Sequence, residues 1–280
     1  MKDDLLEKII LDTVDVPSLP PIASKVLQLI NDDFASITEL ERIISRDQAF
    51  SSRLLRIANS PYYGRGRSID TISTAIILIG FNTMKSLVTA ASMKDLHRQF
   101  GLFEQKLWEH SLGLSVAASL LAAETQMIQP EEALIAGLIH DMGKIIINNS
   151  IPESYCMVIE RVYETGLTFI EVEDDMLGFN HCSVGGLIAR KWKLPRNLEV
   201  VIEYHHSESF PGIEDNNYET LCQIVKIADA MCLNLGIGLR IPVNLSKIGF
   251  DQIGLTEERF YELQERLKRI YIEQKAQLLE

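Results

Sequence analysis

Seven ionisable residues in this sequence stand where helical spacing calls for apolar side chains. In the stretch Gly137-Leu138-Ile139-His140-Asp141-Met142-Gly143-Lys144-Ile145, Asp141 shares a stripe with Leu134, Leu138 and Ile145. A carboxylate left ionised and unpaired in a core costs several kcal/mol or shifts its pKa, so Asp141 needs a cation. His140 adjoins it. The same irregularity recurs at His110, in a stripe with Leu107, Leu114, Ala117 and Leu121, and at His181, between Leu177 and Val184. It recurs again at His205-His206, after Leu198, Val201 and Ile202, and at Asp229, with Leu221, Val225 and Cys232. Imidazole nitrogens and carboxylates are donors for Fe, Mn, Zn or similar divalent ions, whose charge offsets the desolvation of their ligands. The set is large enough for one or two ions. A carboxylate such as Asp141 can bridge a pair, which activates water and stabilises an in-line displacement at phosphorus. Lys144, one turn on, either neutralises a phosphate or pairs with a carboxylate in the absence of ligand. A single ionisable residue on a helical stripe is usually a hydrogen-bonded core residue. Seven of them, on five segments, point to one shared site, because burying each separately is costly.

The elements that must position these residues read as helices. Pro20-Pro21 precede a segment with Ile22, Val26, Leu29 and Ile30 on one face. Ser36 and Glu39 form a capping-box pattern before Ile37, Leu40, Ile43 and Ile44, and Asp47 can cap a third helix that ends at Asn59-Ser60-Pro61. The run Ala75 to Gly80 is apolar on all sides and predicts a helix buried centrally. The pattern breaks between His97 and Phe103. Beyond it come a long helix carrying His110, a helix opened by Pro130 that contains the central stretch, and helices opened by Pro152 and Pro195. A short helical segment over 169–177 precedes His181. Asn216-Asn217 precede the helix of Asp229, and a last amphipathic helix runs from about Thr256 to Leu279. No segment sustains a period of two. The reading is an all-α protein with short loops, divided into an N-terminal helical lobe over residues 1–100 and a helical lobe over residues 101–280 that holds the His/Asp residues.

Of 280 residues, 46% are hydrophobic, enough for one large domain or two small ones with real cores. The net charge of −12 is uneven: residues 1–100 carry 12 basic and 12 acidic residues, the other 180 carry 15 and 27. That acidic surplus argues against a nucleic-acid or anionic-membrane surface on the second lobe. No apolar run approaches the roughly 20 residues of a membrane span, so a cytoplasmic location is expected. Cys156, Cys182, Cys222 and Cys232 lack paired spacing and lie among apolar residues, so they read as reduced core thiols without functional signal. Trp108 and Trp192 read as core or lobe-contact anchors, and Tyr62, Tyr63, Arg65 and Arg67 as an exposed turn.

The order His110, His140-Asp141, Asp229 resembles the HD superfamily of metal-dependent phosphohydrolases, with Lys144 matching the lysine after the HD pair. His181 and His205-His206 resemble the HD-GYP branch, which hydrolyses cyclic di-GMP at a two- or three-metal site. The chain is most similar to the HDOD family, the HD-related output domains of bacterial signalling, over about residues 15–240. The matching marks are Leu19-Pro20, Asp47 with Leu54-Leu55, Ala58-Asn59-Ser60, Ile76 to Gly80, Leu138 to Gly143, His181 with Gly185, Trp192-Lys193-Leu194-Pro195 and His205-His206. The resemblance implies an all-α fold with an N-terminal helical lobe packed on an HD-like helical bundle, and a regulatory output module of the kind often linked to other signalling domains. The chain length leads to the expectation of a stand-alone protein without a fused receiver or kinase, acting through signalling proteins in trans. Two features depart from HD-GYP. Ser207-Glu208-Ser209-Phe210-Pro211-Gly212 replaces the GYP segment, and Lys106 stands where trinuclear enzymes have a glutamate. The alternative is a phosphohydrolase or phosphodiesterase of a cyclic nucleotide or other phosphate ester. In it, His110, His140, Asp141 and Asp229 hold one ion, Asp141, His181, His205 and His206 hold another, and Asp141 and Lys144 are catalytic. A helical scaffold without ligand ranks last, since it leaves seven ionisable residues unexplained.

Overall fold

The computed structural model describes residues 36–46, 69–80, 101–239 and 248–279, with isolated positions between 25 and 59. Among the described residues the secondary structure is helical, without strands. Two compact units divide the chain, one over Asp15–Leu96 and a larger one containing His97–Glu280. The marks at Leu19, Pro20, Asp47 and Ser60, and the turn with Tyr62, Tyr63, Arg65 and Arg67, lie outside the described residues.

In the smaller unit, α1 (Ile37–Ile44) is capped by Ser36, whose Oγ accepts from the Glu39 backbone N–H at 3.2 Å. Leu40 and Ile44 are its buried positions. Asn59 acts as a clamp across the following connection. Its side chain donates to the carbonyls of Leu55 and Ile69, at 2.8 and 2.7 Å, and accepts from the Ile69 N–H at 2.7 Å. Helix α2 (Ile72–Ile79) corrects one expectation: Ile72, Ala75 and Ile76 are buried, but Ile77 and Leu78 are 68% and 55% exposed. The helix is one-sided, with an apolar outer face.

The larger unit is built on α3 (Leu102–Thr125), whose residues from Leu107 to Ser115 are all buried. Around it stand α4 (Pro130–Ile139), α10 (Asn216–Leu235) and α11 (Glu257–Leu279), the last burying Phe260, Leu263 and Leu267. Helices α5 (Met142–Ser150), α8 (His181–Lys191) and α9 (Arg196–Tyr204) pack in sequence beside them, and α6 (Pro152–Thr165) and α7 (Phe169–Met176) complete the unit. Prolines occupy the first turns of α4 and α6, where a missing N–H costs nothing.

The central stretch does not form the single helix that its spacing predicts. Helix α4 ends at Ile139, and Asp141, with φ −92° and ψ 15°, begins α5 without capping it through its carboxylate. Gly143 explains the close approach that follows. A Cβ there would fall 1.9 Å from the carbonyl oxygen of His181, so α5 and α8 cross in backbone contact only because the residue is glycine. The crossing sets His181 against Asp141. On the other side, Gly238 (φ 74°) lets the turn after α10 lie on α3, where a Cβ would meet the backbone of Lys106 and His110.

Candidate metal centre

Each helix delivers its histidine in the same way. The Nδ1–H of His140 donates to the Gly137 carbonyl at 2.7 Å, and that of His110 to the Ile237 carbonyl at 3.2 Å. The Nδ1–H of His205 donates to the carbonyls of Val201 and Ile202, at 3.0 and 3.2 Å, and His181 Nδ1 donates to Glu173 Oε2 at 2.6 Å. Carbonyl oxygens only accept, so Nδ1 carries the hydrogen and Nε2 is the nitrogen left for the site. All four Nε2 atoms face a carboxylate. His110 lies 2.9 Å from Asp229 Oδ1 and His140 3.2 Å from Asp141 Oδ2, while His181 and His205 lie 3.4 and 3.7 Å from Asp141 Oδ1. His206 packs beside them at the rim, its ring centre 4.2 Å from that of His205, tilted, and 5.2 Å from that of His181, edge-on. The structure therefore brings together His110, His140, Asp141, His181, His205, His206, Asp229 and Lys144. All are buried except His206 and Asp229, which are partly exposed.

The cluster has two halves joined at Asp141. On the α3/α10 side Asp141 Oδ2 is paired with the Lys144 ammonium at 2.6 Å, and His110 Nε2 lies against Asp229. Lys144 also sits over the Phe169 ring, 4.7 Å from its centre. Burial pushes the Asp141 carboxyl up, but His140 and Lys144 more than offset it and hold it well below the usual carboxylate range. Burial lowers Lys144, yet Asp141 and Glu173 leave it raised overall. Burial also keeps His140 below its ordinary value despite Asp141.

On the α8/α9 side two buried atoms, Asp141 Oδ1 and His181 Nε2, have no hydrogen-bond partner. With Nδ1 donating to Glu173, the neutral His181 ring presents its Nε2 lone pair to a carboxylate oxygen at 3.4 Å. Two acceptors so placed need a proton or a cation between them. A proton serves in the metal-free protein. Burial lowers His181, but Glu173, followed by Cys182, lifts it to about 9; burial lowers His205 too, and Cys182 and Asp141 lift it to about 10. Burial and the neighbouring His205 and His181 cations hold His206 well below its ordinary range. A divalent ion would replace those protons, so the donor set fits one. Two groups of residues could each hold a metal ion: His110, His140 and Asp141, and His181, Cys182, His205 and His206.

Two members escaped the sequence reading. Glu173 is fully buried; its carboxylate accepts from the His181 backbone N–H at 2.8 Å and from the Tyr155 hydroxyl at 2.7 Å, besides the His181 ring. It follows Phe169 and Val172 and precedes Leu177 on one helical stripe, the same signal that singled out the other residues. Cys182 corrects the reading of the cysteines as silent core thiols. Its Sγ lies 3.8 and 3.9 Å from His205 Nδ1 and Nε2, and although burial raises it, the His205 and His181 cations pull it down to about 6. Cys222, by contrast, is pushed up to about 12 by burial, and Cys156 is exposed.

An all-helical unit enclosing a His/Asp centre at an HD pair defines an HD-type protein. Residues 16–208 match the HDOD domain, and the chain belongs to that family. It is 24% identical over 198 residues to an uncharacterized protein of Treponema pallidum, a match covering 69% of this chain and 38% of the relative. The chain thus spans well under half the length of that relative. The fold is shared with a candidate phosphohydrolase of Shewanella amazonensis SB2B (TM-score 0.69, 21% identity, 94% of each chain). It is shared also with a candidate signal transduction protein of Marinobacter aquaeolei VT8 (TM-score 0.72, 16% identity, 99% of this chain and 64% of the other). Among the described residues no helix is long and apolar enough to cross a membrane.

Proposed function

We propose that this chain is a regulatory output module that acts in the cytoplasm on signalling proteins in trans, and that its buried cluster holds a divalent ion without turnover. The observation that carries this reading is the commitment of Lys144. The cation that a phosphohydrolase would offer to phosphate is buried, 2.6 Å from Asp141 Oδ2 and packed over Phe169. Lys106 supports it: where the resemblance to trinuclear enzymes calls for a glutamate, its ammonium lies 2.7 Å from the buried Glu109. The missing GYP segment and the name of the Marinobacter protein agree.

The second reading, a phosphohydrolase acting on a cyclic nucleotide or other phosphate ester, draws on the unpartnered Asp141 Oδ1 and His181 Nε2. Divalent ions bound by His110, His140, Asp141 and Asp229, and by Asp141, His181, His205 and His206, would supply Lewis-acid polarisation and water activation. In that case the histidines fix donor directions through Nδ1, Asp141 presents an oxygen to each half, and Lys144 steadies the phosphate.

The deciding experiment is elemental analysis of full-length protein purified without chelator or metal-affinity resin, followed by a phosphodiester and phosphomonoester screen against the Asp141→Ala variant. Bound metal without hydrolysis above the variant's background is the expected result. Hydrolysis that disappears with Asp141 would establish the second reading.

A further inference from the structure

We infer that Cys182 is a sulfur donor of the α8/α9 half, which makes that half a mixed nitrogen, oxygen and sulfur site for a thiophilic divalent ion such as Zn²⁺. The inference rests on the reading that the cluster holds metal, and it adds a ligand and a preference that the His/Asp pattern does not carry. Cys182 is the second residue of α8, 5% exposed, directly after His181. One donor atom from each of His181, Cys182, His205 and His206 lies within 4.8 Å of every other. Two buried atoms without a hydrogen-bond partner, Asp141 Oδ1 and the His181 Nε2 of this group, lie 3.4 Å apart.

The separations have the right scale. Donors bound tetrahedrally at about 2.0–2.3 Å from one ion stand roughly 3.3–3.8 Å apart. Here His181 Nε2 is 3.4 Å and His205 Nε2 3.7 Å from Asp141 Oδ1. Cys182 Sγ stands 3.8 and 3.9 Å from His205 Nδ1 and Nε2, beside the ring, and joins the ion by turning about its Cα–Cβ bond. Both rings are already fixed through Nδ1, by Glu173 and by the Val201 and Ile202 carbonyls, so their Nε2 atoms are held in place before any ion arrives. The other buried thiols lack these surroundings: the Cys222 S–H points at the Val200 carbonyl, 3.8 Å away, and neither Cys222 nor Cys232 joins such a group. The α3/α10 half offers only nitrogen and oxygen. Sulfur on one side and none on the other gives the halves different preferences, with Zn²⁺ favoured at the α8/α9 half and Mn²⁺ or Fe²⁺ equally acceptable at the other.

The test is titration of the metal-stripped full-length protein with Co²⁺, whose spectrum reports its donors. The expected result is a sulfur-to-cobalt charge-transfer band in the near ultraviolet that saturates at one Co²⁺ per chain. Cys182→Ser should lose the band while retaining the visible absorption of bound Co²⁺, and should bind Zn²⁺ about tenfold or more weakly. Cys156→Ser and Cys222→Ser should keep the band. Cobalt bound without the band overturns the sulfur assignment and leaves the metal reading standing. A band surviving in Cys182→Ser also overturns it, and folded protein that binds no Co²⁺ overturns both. If Cys182→Ser does not fold, zinc-edge X-ray absorption of the wild type decides, since a coordination shell without sulfur at about 2.3 Å excludes Cys182.

Discussion

The two halves of the centre share Asp141 but meet the cost of buried charge differently. On the α3/α10 side the protein supplies a fixed cation, Lys144, against Asp141 Oδ2, and sets His110 against Asp229. On the α8/α9 side it aligns His181 Nε2 and Asp141 Oδ1 and provides no partner for either. The first half has its own ammonium for Asp141 Oδ2, whereas Asp141 Oδ1 and His181 Nε2 in the second are balanced only by a proton or a metal. An HD motif in the sequence therefore does not by itself show which oxygen of its aspartate is already paired within the protein.

Asp141→Ala should give the largest effect, since it removes the residue common to both halves and leaves the Lys144 ammonium buried without its partner. Loss of about 3–5 kcal/mol of stability is expected, together with loss of all bound metal, read by urea denaturation and elemental analysis. Unchanged stability would show that Lys144 does not depend on this pair. Gly143→Ala separates position from charge. Its methyl would press on the His181 carbonyl, so α5 and α8 must part at a cost of about 1–3 kcal/mol, and metal should be lost from the α8/α9 half before the other.

Glu173→Gln tests that half alone. Weakening the acceptor that fixes His181 should reduce metal affinity there about 10- to 100-fold and leave the α3/α10 half unchanged. Equal loss in both halves would mean that Glu173 supports the fold instead of aiming a ligand. The mildest test is protonic. His181 and His205, held at about 9 and about 10, are protonated at neutral pH without metal, so an ion entering their half must displace protons. Calorimetry in buffers of different ionisation heat should find about two protons released at pH 7, with affinity rising as pH rises toward about 10. His140, already kept below its ordinary value, should contribute no such release.

Residues that break an apolar stripe were legible because burying a charge is expensive, and the chain keeps one only where something offsets it. His110, Asp141, His181, His205 and Asp229 stood out for that reason, and Glu173 obeyed the same rule unnoticed among Glu171, Asp174 and Asp175. The exposed face of α2 was misread because Ile77 and Leu78 look as apolar as their buried neighbours, and composition carries no direction. The break at His140-Asp141 was hidden because Leu134, Leu138 and Ile145 keep helical spacing across it.

The sequence by itself determined the helical class, the family and the residues that had to share a site, since periodicity and the cost of buried charge are local properties of the chain. Tertiary structure alone decided how those residues divide. Gly143 at the α5/α8 crossing, Glu173 behind His181, and Cys182 beside His205 are fixed by contacts between elements distant in sequence, and pairing of charge depends on distance in space.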